Sequence, residues 1–449
     1  MIKTRFAPSP TGKMHMGNAR TALYSYLAAR SLGGEFVLRI EDTDRERSTP
    51  ENVDAIYQNL RWLGLTYDGE VYIQSAAEAY HRSLIDELLA SGKAYRSLAT
   101  KADVETYRAV HGASAGFRGD DDGEGAIRLR VPEGTTSFTD IIRGEISFDN
   151  ERLDDFVIAR SDGSPIFHLA VVADDHAQAI THVVRGEDHI SNTPKQLLIG
   201  KALNFASPLY AHLPLIVSST GKKLSKRDGD VCVEDFRNRG ILPEALCNYM
   251  ALLGWGAGDD TFLTPDELIE RFRLEDVAKN PAMFDEVKLR WLNGQWIRSL
   301  SPEDLTSRLM DFIGPRVEWD YAAAVPAAQA KIQTLTEFFP LIQGMIEPVD
   351  NPAAIAKIFK AVEDKWLLMA AANELRALST WSPESIAAAI DPLPALWNVK
   401  PGRVFQPLRV ALTGSTVSLG IHETIALIPQ RVAIGRLDRF IRVDLAHLK

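Results

Sequence analysis

The chain has 449 residues but only two cysteines, Cys232 and Cys247. So few thiols exclude a disulfide scaffold and any zinc site built from three or four cysteines of this chain. Both are read as ordinary structural thiols. No apolar run approaches the ~20 residues of a membrane span, so no membrane partner is expected. The opening "MIKTRFAPSP" has neither an apolar signal core nor an Arg/Ser-rich leader. A cytoplasmic enzyme is the simplest expectation. Positive charge is also in deficit: 50 Lys and Arg face 60 Asp and Glu, a net −10. That argues against indiscriminate nucleic-acid binding. It leaves room for a local basic groove, because binding depends on where charges sit.

The first hundred residues alternate strand and helix patterns. Residues 3–7 read as a short strand. Residues 17–31 read as a helix, with Ala19, Leu23, Tyr26, Leu27 and Arg30 at helical spacing and Gly33-Gly34 ending it. "EFVLRI" (35–40) is a second strand. Thr49-Pro50 opens another helix. Ser75 followed by Glu78 predicts a capping box for a helix over 76–90. This β-α-β-α order implies a parallel sheet with right-handed crossovers. From about Lys93 the pattern becomes mostly β, around the polar loop 119–125. The alternation resumes near 165, and Thr193-Pro194 opens a helix to about Leu203. After 240 the chain turns strongly helical.

Two segments carry chemistry. "RFAPSPTGKMHMGNAR" (5–20) runs from a strand end through a Pro/Gly turn into a helix. Strand carboxyl ends are where such sheets bind ligands, and a helix N-terminus suits phosphate. Gly12 and Gly17 let backbone approach a ligand closely, and His15 can donate to a phosphate oxygen. Taken alone, His-x-Gly is a common turn. "STGKKLSKRDG" (219–229) adds a basic loop. Such a loop can neutralise charge developing on a departing pyrophosphate; alone it reads as a solvated face.

Together these segments resemble the class I aminoacyl-tRNA synthetases: "HMGN" (15–18) is similar to their HIGH signature and "KLSKR" (223–227) to their KMSKS signature. "RFAPSPTG", "RIEDTDRERS", "ITHVVRGEDHISNTPKQ", "LPEALCNYMALLGWG" and "VFQPLRVALTG" are similar to the bacterial-type glutamyl-tRNA synthetase family, in order from residue 5 to residue 414. The resemblance implies an α/β Rossmann-like parallel-sheet catalytic domain, an inserted α+β acceptor-binding module and an all-α C-terminal anticodon-binding region. The implied ranges are 1–92 with 162–217, then 93–161 for the insertion. A stem-contact region carrying the loop follows at 218–300, then the helical region at 301–449.

The implied reaction is attack of glutamate on the α-phosphate of ATP, with Mg2+ accompanying the ATP. Transfer of the glutamyl group to the 3′-terminal adenosine of tRNA-Glu follows, or of tRNA-Gln as well or instead. A monomer is expected. On the matching positions, Arg5 and Arg185 meet the substrate carboxylates, since a guanidinium binds them bidentately. Glu41 accepts from the α-amino group; the alternative for it is a surface ion pair with Arg39 or Arg45. Ala7, Ser9 and Phe167 line the same pocket. Pro8, Thr11, Gly12, His15, Gly17, Asn18, Ser225 and Lys226 bind ATP. Lys226, with Lys223 beside it, faces the pyrophosphate. Arg403 and Arg409 are the expected tRNA contacts.

The chain departs from that family in three places. "AYRSLAT" (94–100) lacks the Cys-x-Cys that opens a zinc site in some members, so no zinc is expected. Pro165-Ile166-Phe167 replaces the usual Pro-Thr-Tyr, keeping the ring and losing its hydroxyl. "GDDDGEG" replaces a longer connection. Three rival readings stand beside the leading one: a ligase that glutamylates a tRNA nucleoside, a catalytically silent tRNA-binding paralogue, and an acid-activating enzyme without RNA. The helical half disfavours the first. The retained His15, Lys226, Arg5 and Glu41 disfavour the second.

Overall fold

The structure, a computed structural model, describes residues 1–44, 46–218, 220–221, 232–256, 258, 260–314, 318–442 and 445. The chain forms two compact units: 1–238 with 243–289, and 239–242 with 290–449.

The first unit begins as β1 (Lys3–Phe6), α1 (Met16–Ser31), β2 (Glu35–Ile40), α2 (Pro50–Trp62), β3 (Tyr72–Ile73) and α3 (Glu78–Ala90). It continues with β4 (Ala94–Ser97), α4 (Lys101–His111), β5 (Ala126–Leu129), β6 (Thr135–Asp140), β7 (Gly144–Asp149) and β8 (Val157–Ala159). Then come α5 (Phe167–Ala177), β9 (His182–Gly186), α6 (Thr193–Ala202) and β10 (Leu209–Leu213). The main sheet runs β3-β2-β1-β9-β10-β6-β7. All its pairs are parallel except β6–β7. β2 is buried at Phe36 to Ile40, as a parallel strand covered on both faces should be. The chain goes from β1 to β2 on one side and reaches β9 on the other. The crevice at the carboxyl ends of β1 and β9 is therefore a topological switch point, where open α/β sheets bind ligands.

Thr49 caps α2 by accepting from the Asn52 N–H (3.3 Å), with Pro50 in the first turn. The expected capping box at Ser75 is not there. α3 starts at Glu78 behind a 3-10 turn (Gln74–Ala77), with no side-chain cap. Ser75 instead donates its N–H (2.8 Å) and hydroxyl (2.6 Å) to Asp42. A tertiary carboxylate wins the hydroxyl from the local cap.

The segment 93–161 is tied into the rest of the unit at two levels. β4, β5 and β8 form a small antiparallel sheet. Its Ile127, Leu129 and Ile158 share one core with Leu84 and Leu88 of α3, Leu169 of α5 and Ile199 of α6. The β6–β7 hairpin joins the main sheet, with Asp140 opposite Tyr210 of β10.

The second unit is helical among the described residues, from Pro302–Ile313 to Gln430–Arg442. Helix Gly402–Thr413 ends at Gly414, whose φ of 72° is left-handed. A Cβ there would lie 1.7 Å from the Val349 carbonyl oxygen, so only glycine fits.

Candidate active site

At the switch point lies an open cavity of about 410 Å³. Arg5, Ala7 and Ser9 line it, as do Pro8 and Thr11, His15, Gly17 and Asn18, and Glu41, Phe167 and Arg185. Gly12 does not line it. Lys223, Ser225 and Lys226 fall outside the described residues.

One end of the cavity is the start of α1. His15 caps that helix: its Nδ1 accepts from the Asn18 N–H (3.3 Å), which leaves the ring proton on Nε2. The first turn carries no acidic residue, so its positive end is not neutralised locally. A Cβ on Gly17 would meet the His15 ring at 3.1 Å, so this glycine keeps the imidazole in place. Val233 N–H donates to the Met14 carbonyl (3.0 Å), and Cys232 bridges to His15. The chain leaving the basic loop is thereby stitched to the residues just before α1.

The other end is a buried network of charges. Asp175 Oδ1 accepts from Arg5 Nε (3.1 Å) and from Arg39 Nη1 (2.7 Å). Glu41 Oε1 accepts from Arg39 Nε and Nη2, both at 3.3 Å. The expected alternative for Glu41, a surface pair, is not what forms: the Arg39 side chain is fully buried and Glu41 nearly so. The Glu41 N–H donates to the Pro8 carbonyl (3.0 Å), which seats the carboxylate beside the Pro-Ser-Pro loop. Burial pushes the Glu41 carboxyl above its ordinary pKa, against the pull of Arg39 and Arg5. Burial would also raise Asp175, but Arg5 and Arg39 outweigh it and hold Asp175 below its ordinary value.

Arg185, at the end of β9, is different. Nε donates to His212 Nε2 (3.1 Å), Nη1 to Gln196 Oε1 (2.8 Å) and Nη2 to Thr193 Oγ1 (2.7 Å). All three partners are neutral, and no ion pair to Arg185 forms among the described residues. Desolvation lowers its pKa to about 10. A guanidinium has five N–H groups. Three are used here, which leaves one on each terminal nitrogen. Both remain available as donors to a ligand's acceptor atoms.

Phe167 stands at the first position of α5 and is 42% exposed, in contact with the cavity. Its ring centroid lies 5.3 Å from that of His168 and 6.4 Å from that of His189.

Sequence reasoning missed Asp175, Gln196, Thr193 and His212. Thr193 and Gln196 lie in the quoted segment "ITHVVRGEDHISNTPKQ" with Arg185, whereas Asp175 and His212 share no short segment with the arginine they serve. Both expected RNA contacts have partners within the second unit. Arg409 donates to the Leu419 carbonyl (2.6 Å) and to the Ser418 hydroxyl, so its cation braces the second unit from within. Arg403 is half exposed and paired with Asp364.

Comparison with known proteins gives the frame for this geometry. Residues 1–291 match the family model of tRNA synthetases class I (E and Q), catalytic domain, and residues 304–441 match an anticodon binding domain. The chain is a class I tRNA synthetase of the E and Q family. Relatives include the glutamate–tRNA ligase of Thermobifida fusca, 42% identical over 100% of this chain and 98% of that protein. Glutamate–tRNA ligase 2 of Zymomonas mobilis is 40% identical over 99% and 98%. The crystal structure of a glutamate tRNA ligase from Elizabethkingia meningosepticum, in complex with its amino acid, superposes with a TM-score of 0.86. It shares 28% identity and covers 98% of this synthetase and 99% of its own chain. No helix among the described residues of the synthetase is long and apolar enough to cross a membrane.

Proposed function

We propose that the chain is a cytoplasmic glutamate–tRNA ligase. It activates L-glutamate with ATP and transfers the glutamyl group to the terminal adenosine of tRNA. The observation that carries this reading is Arg185: a buried cation held by three neutral acceptors, facing a cavity that ends in a helix N-terminus. Burying an unpaired charge is costly unless a ligand supplies the counter-charge.

Arg185 and Arg5 take the two carboxylates, and Glu41 takes the ammonium. Ala7, Ser9 and Phe167 form the walls. The glutamate α-carboxylate is ionised at neutral pH, so adenylation needs no obligatory base. What the protein supplies is alignment and charge stabilisation. Pro8, Thr11, His15, Gly17 and Asn18 receive the ATP, with the His15 Nε2–H aimed at a phosphate oxygen. Lys223, Ser225 and Lys226 close on the departing pyrophosphate. Mg2+ arrives with the ATP phosphates. Among the described residues no three His, Cys, Asp or Glu side chains converge on a metal site. The helical unit takes the anticodon arm, with Arg403 at its surface. A neutral glutamine would leave the Arg185 cation poorly matched, so discrimination needs no editing step.

The test is charging of tRNA-Glu and tRNA-Gln transcripts with labelled glutamate, side by side. Charging of tRNA-Glu alone gives a discriminating ligase. Charging of tRNA-Gln, alone or as well, makes the product a substrate for a later amidation. Charging of neither removes the reading.

Two smaller effects follow from the pocket. Phe167→Tyr should lower the KM for glutamate by up to about tenfold, the worth of one ordinary hydrogen bond. An unchanged or raised KM would mean that the ring alone is what the pocket uses. The second concerns pH. Glu41 must be ionised to hold an ammonium, and its pKa is raised. kcat/KM for glutamate should therefore fall, as pH drops, earlier than an ordinary glutamate side chain would dictate. The KM for ATP should show no such limb. A limb common to both substrates would locate the titration elsewhere.

A further inference from the structure

Arg185 is held in place by a chain of hydrogen bonds that starts in the inserted segment. Asp140 closes β6, and its Oδ1 accepts from the backbone N–H groups of Ile142 (3.0 Å) and Arg143 (2.8 Å) in the β6–β7 turn. Its Oδ2 lies 2.6 Å from His212 Nδ1 and accepts from the His212 backbone N–H (3.1 Å). On the far side of the same imidazole, Nε2 accepts from Arg185 Nε (3.1 Å). Thr193 Oγ1 lies 3.2 Å from that nitrogen and accepts from Arg185 Nη2. Asp140, His212 and Thr193 are all buried.

The tautomer follows from these contacts. Arg185 Nε–H can only donate, so His212 Nε2 must be bare. The ring proton therefore sits on Nδ1 and points at the Asp140 carboxylate, which can only accept. A proton on Nε2 would set two donors against each other at 3.1 Å. Desolvation lowers the His212 pKa, and the neighbouring Arg185 adds to it while Asp140 opposes. The neutral ring is thus the form that matches every partner.

We infer that Asp140 and His212 are positioning residues for glutamate: the carboxylate fixes the imidazole tautomer, and the imidazole fixes the orientation of the Arg185 fork. Neither touches the cavity; both act through Arg185. The inference rests on the reading that Arg185 receives a substrate carboxylate. Its consequence is that the β6–β7 hairpin, remote in sequence, sets the affinity for the amino acid.

Asp140→Asn is the decisive change. The amide oxygen can keep the Ile142 and Arg143 bonds. The NH2 group then faces His212 Nδ1 and forces the ring proton to Nε2, against Arg185. The same substitution beside a catalytic histidine is known to act by imposing the wrong tautomer. The expected result is a glutamate KM raised about tenfold or more, with the KM for ATP within about twofold. In an Arg185→Gln background the same change should add nothing, because two residues acting through one contact are not additive. His212→Gln and His212→Leu give an independent pair that retains Asp140. Gln restores an acceptor for Arg185 Nε and should recover much of the affinity that Leu loses.

Parallel rises in both KM values would reduce Asp140 to a structural brace and overturn the inference. So would an undiminished Asp140→Asn effect in the Arg185→Gln background, or equal losses in the two His212 variants. If Arg185→Gln raises the glutamate KM and Asp140→Asn does not, the positioning role alone fails. If Arg185→Gln leaves that KM unchanged, the pocket reading fails first and takes the positioning role with it.

Discussion

Arg185→Gln should raise the KM for glutamate roughly 10²–10³-fold and leave the KM for ATP within about threefold. Breaking one side of a buried ion pair costs about 3–5 kcal/mol, because the other charge is left without a partner. Converted to affinity, that is about two to three and a half orders of magnitude, and the expected range is its lower part. The substrate is the stranded partner here, so the loss falls on binding. Stability should behave in the opposite way to an ordinary ion-pair deletion. Without ligand, Arg185 is a desolvated cation whose partners among the described residues are neutral: three acceptors and the face of the Tyr210 ring at 5.3 Å. Removing it relieves that burial, so the melting temperature of the free protein should hold or rise. Thermal melts with and without glutamate separate the two effects: the wild type should gain stability from the ligand, and the variant should gain almost none. The ratio of glutamate to glutamine use should also shrink, since a neutral amide no longer strands a cation. A variant with unchanged KM would show that the carboxylates are bound elsewhere.

That Arg5, Glu41 and Arg185 would come together was legible, and they line one cavity, because each sits in a short segment whose neighbours also carry signal: a Pro-Ser-Pro turn, a strand end, a Gly-Glu-Asp turn. The strand and helix pattern of residues 1–40 was legible for the same local reason. Apolar period and turn chemistry are decided within a few residues. The long-range hydrogen-bond partners of the site residues were not legible. Asp175 serves Arg5 from 170 positions away and Arg39 from 136. Asp140 serves His212 across 72. Those pairings are set by which crossover lands beside which strand, and no local period encodes that. Arg39 is expected from sequence only as a partner in a surface pair with Glu41, and its side chain is fully buried. It is tolerated because Asp175, Glu41 and Gln178 meet its guanidinium. Ser75 failed for the converse reason: its local signal was a correct capping pattern, and Asp42 offered a stronger acceptor. The inward bonds of Arg409 to Ser418 and Leu419 were not legible, because a basic residue on a helix is indistinguishable in sequence from one turned inward to brace a loop.

Lys226→Ala should cut kcat about 10²–10³-fold while the KM for glutamate stays within about threefold. Lys226 lies outside the described residues, and the expectation rests on its place in "KLSKR" and on what surrounds that segment. The chain after it is fixed beside His15 through Cys232 and the Val233–Met14 bond. The described chain thus resumes, at Cys232, next to the end of the cavity that suits phosphate. Arg5, Glu41 and Arg185, which we propose hold glutamate, line the opposite end. A cation over the phosphates has little to do with glutamate binding but much to do with charge that grows as pyrophosphate departs. Interactions made only in the transition state appear in kcat and not in KM, and losing one such donor typically costs about this much. Lys222→Ala is the control: it removes the same charge from the same segment, outside the Lys-Leu-Ser-Lys pattern. If both variants lose equal activity, the segment acts as a diffuse positive patch. If only Lys226→Ala loses it, one ammonium at one position stabilises the leaving group. Near-normal turnover in Lys226→Ala would remove that lysine from the mechanism.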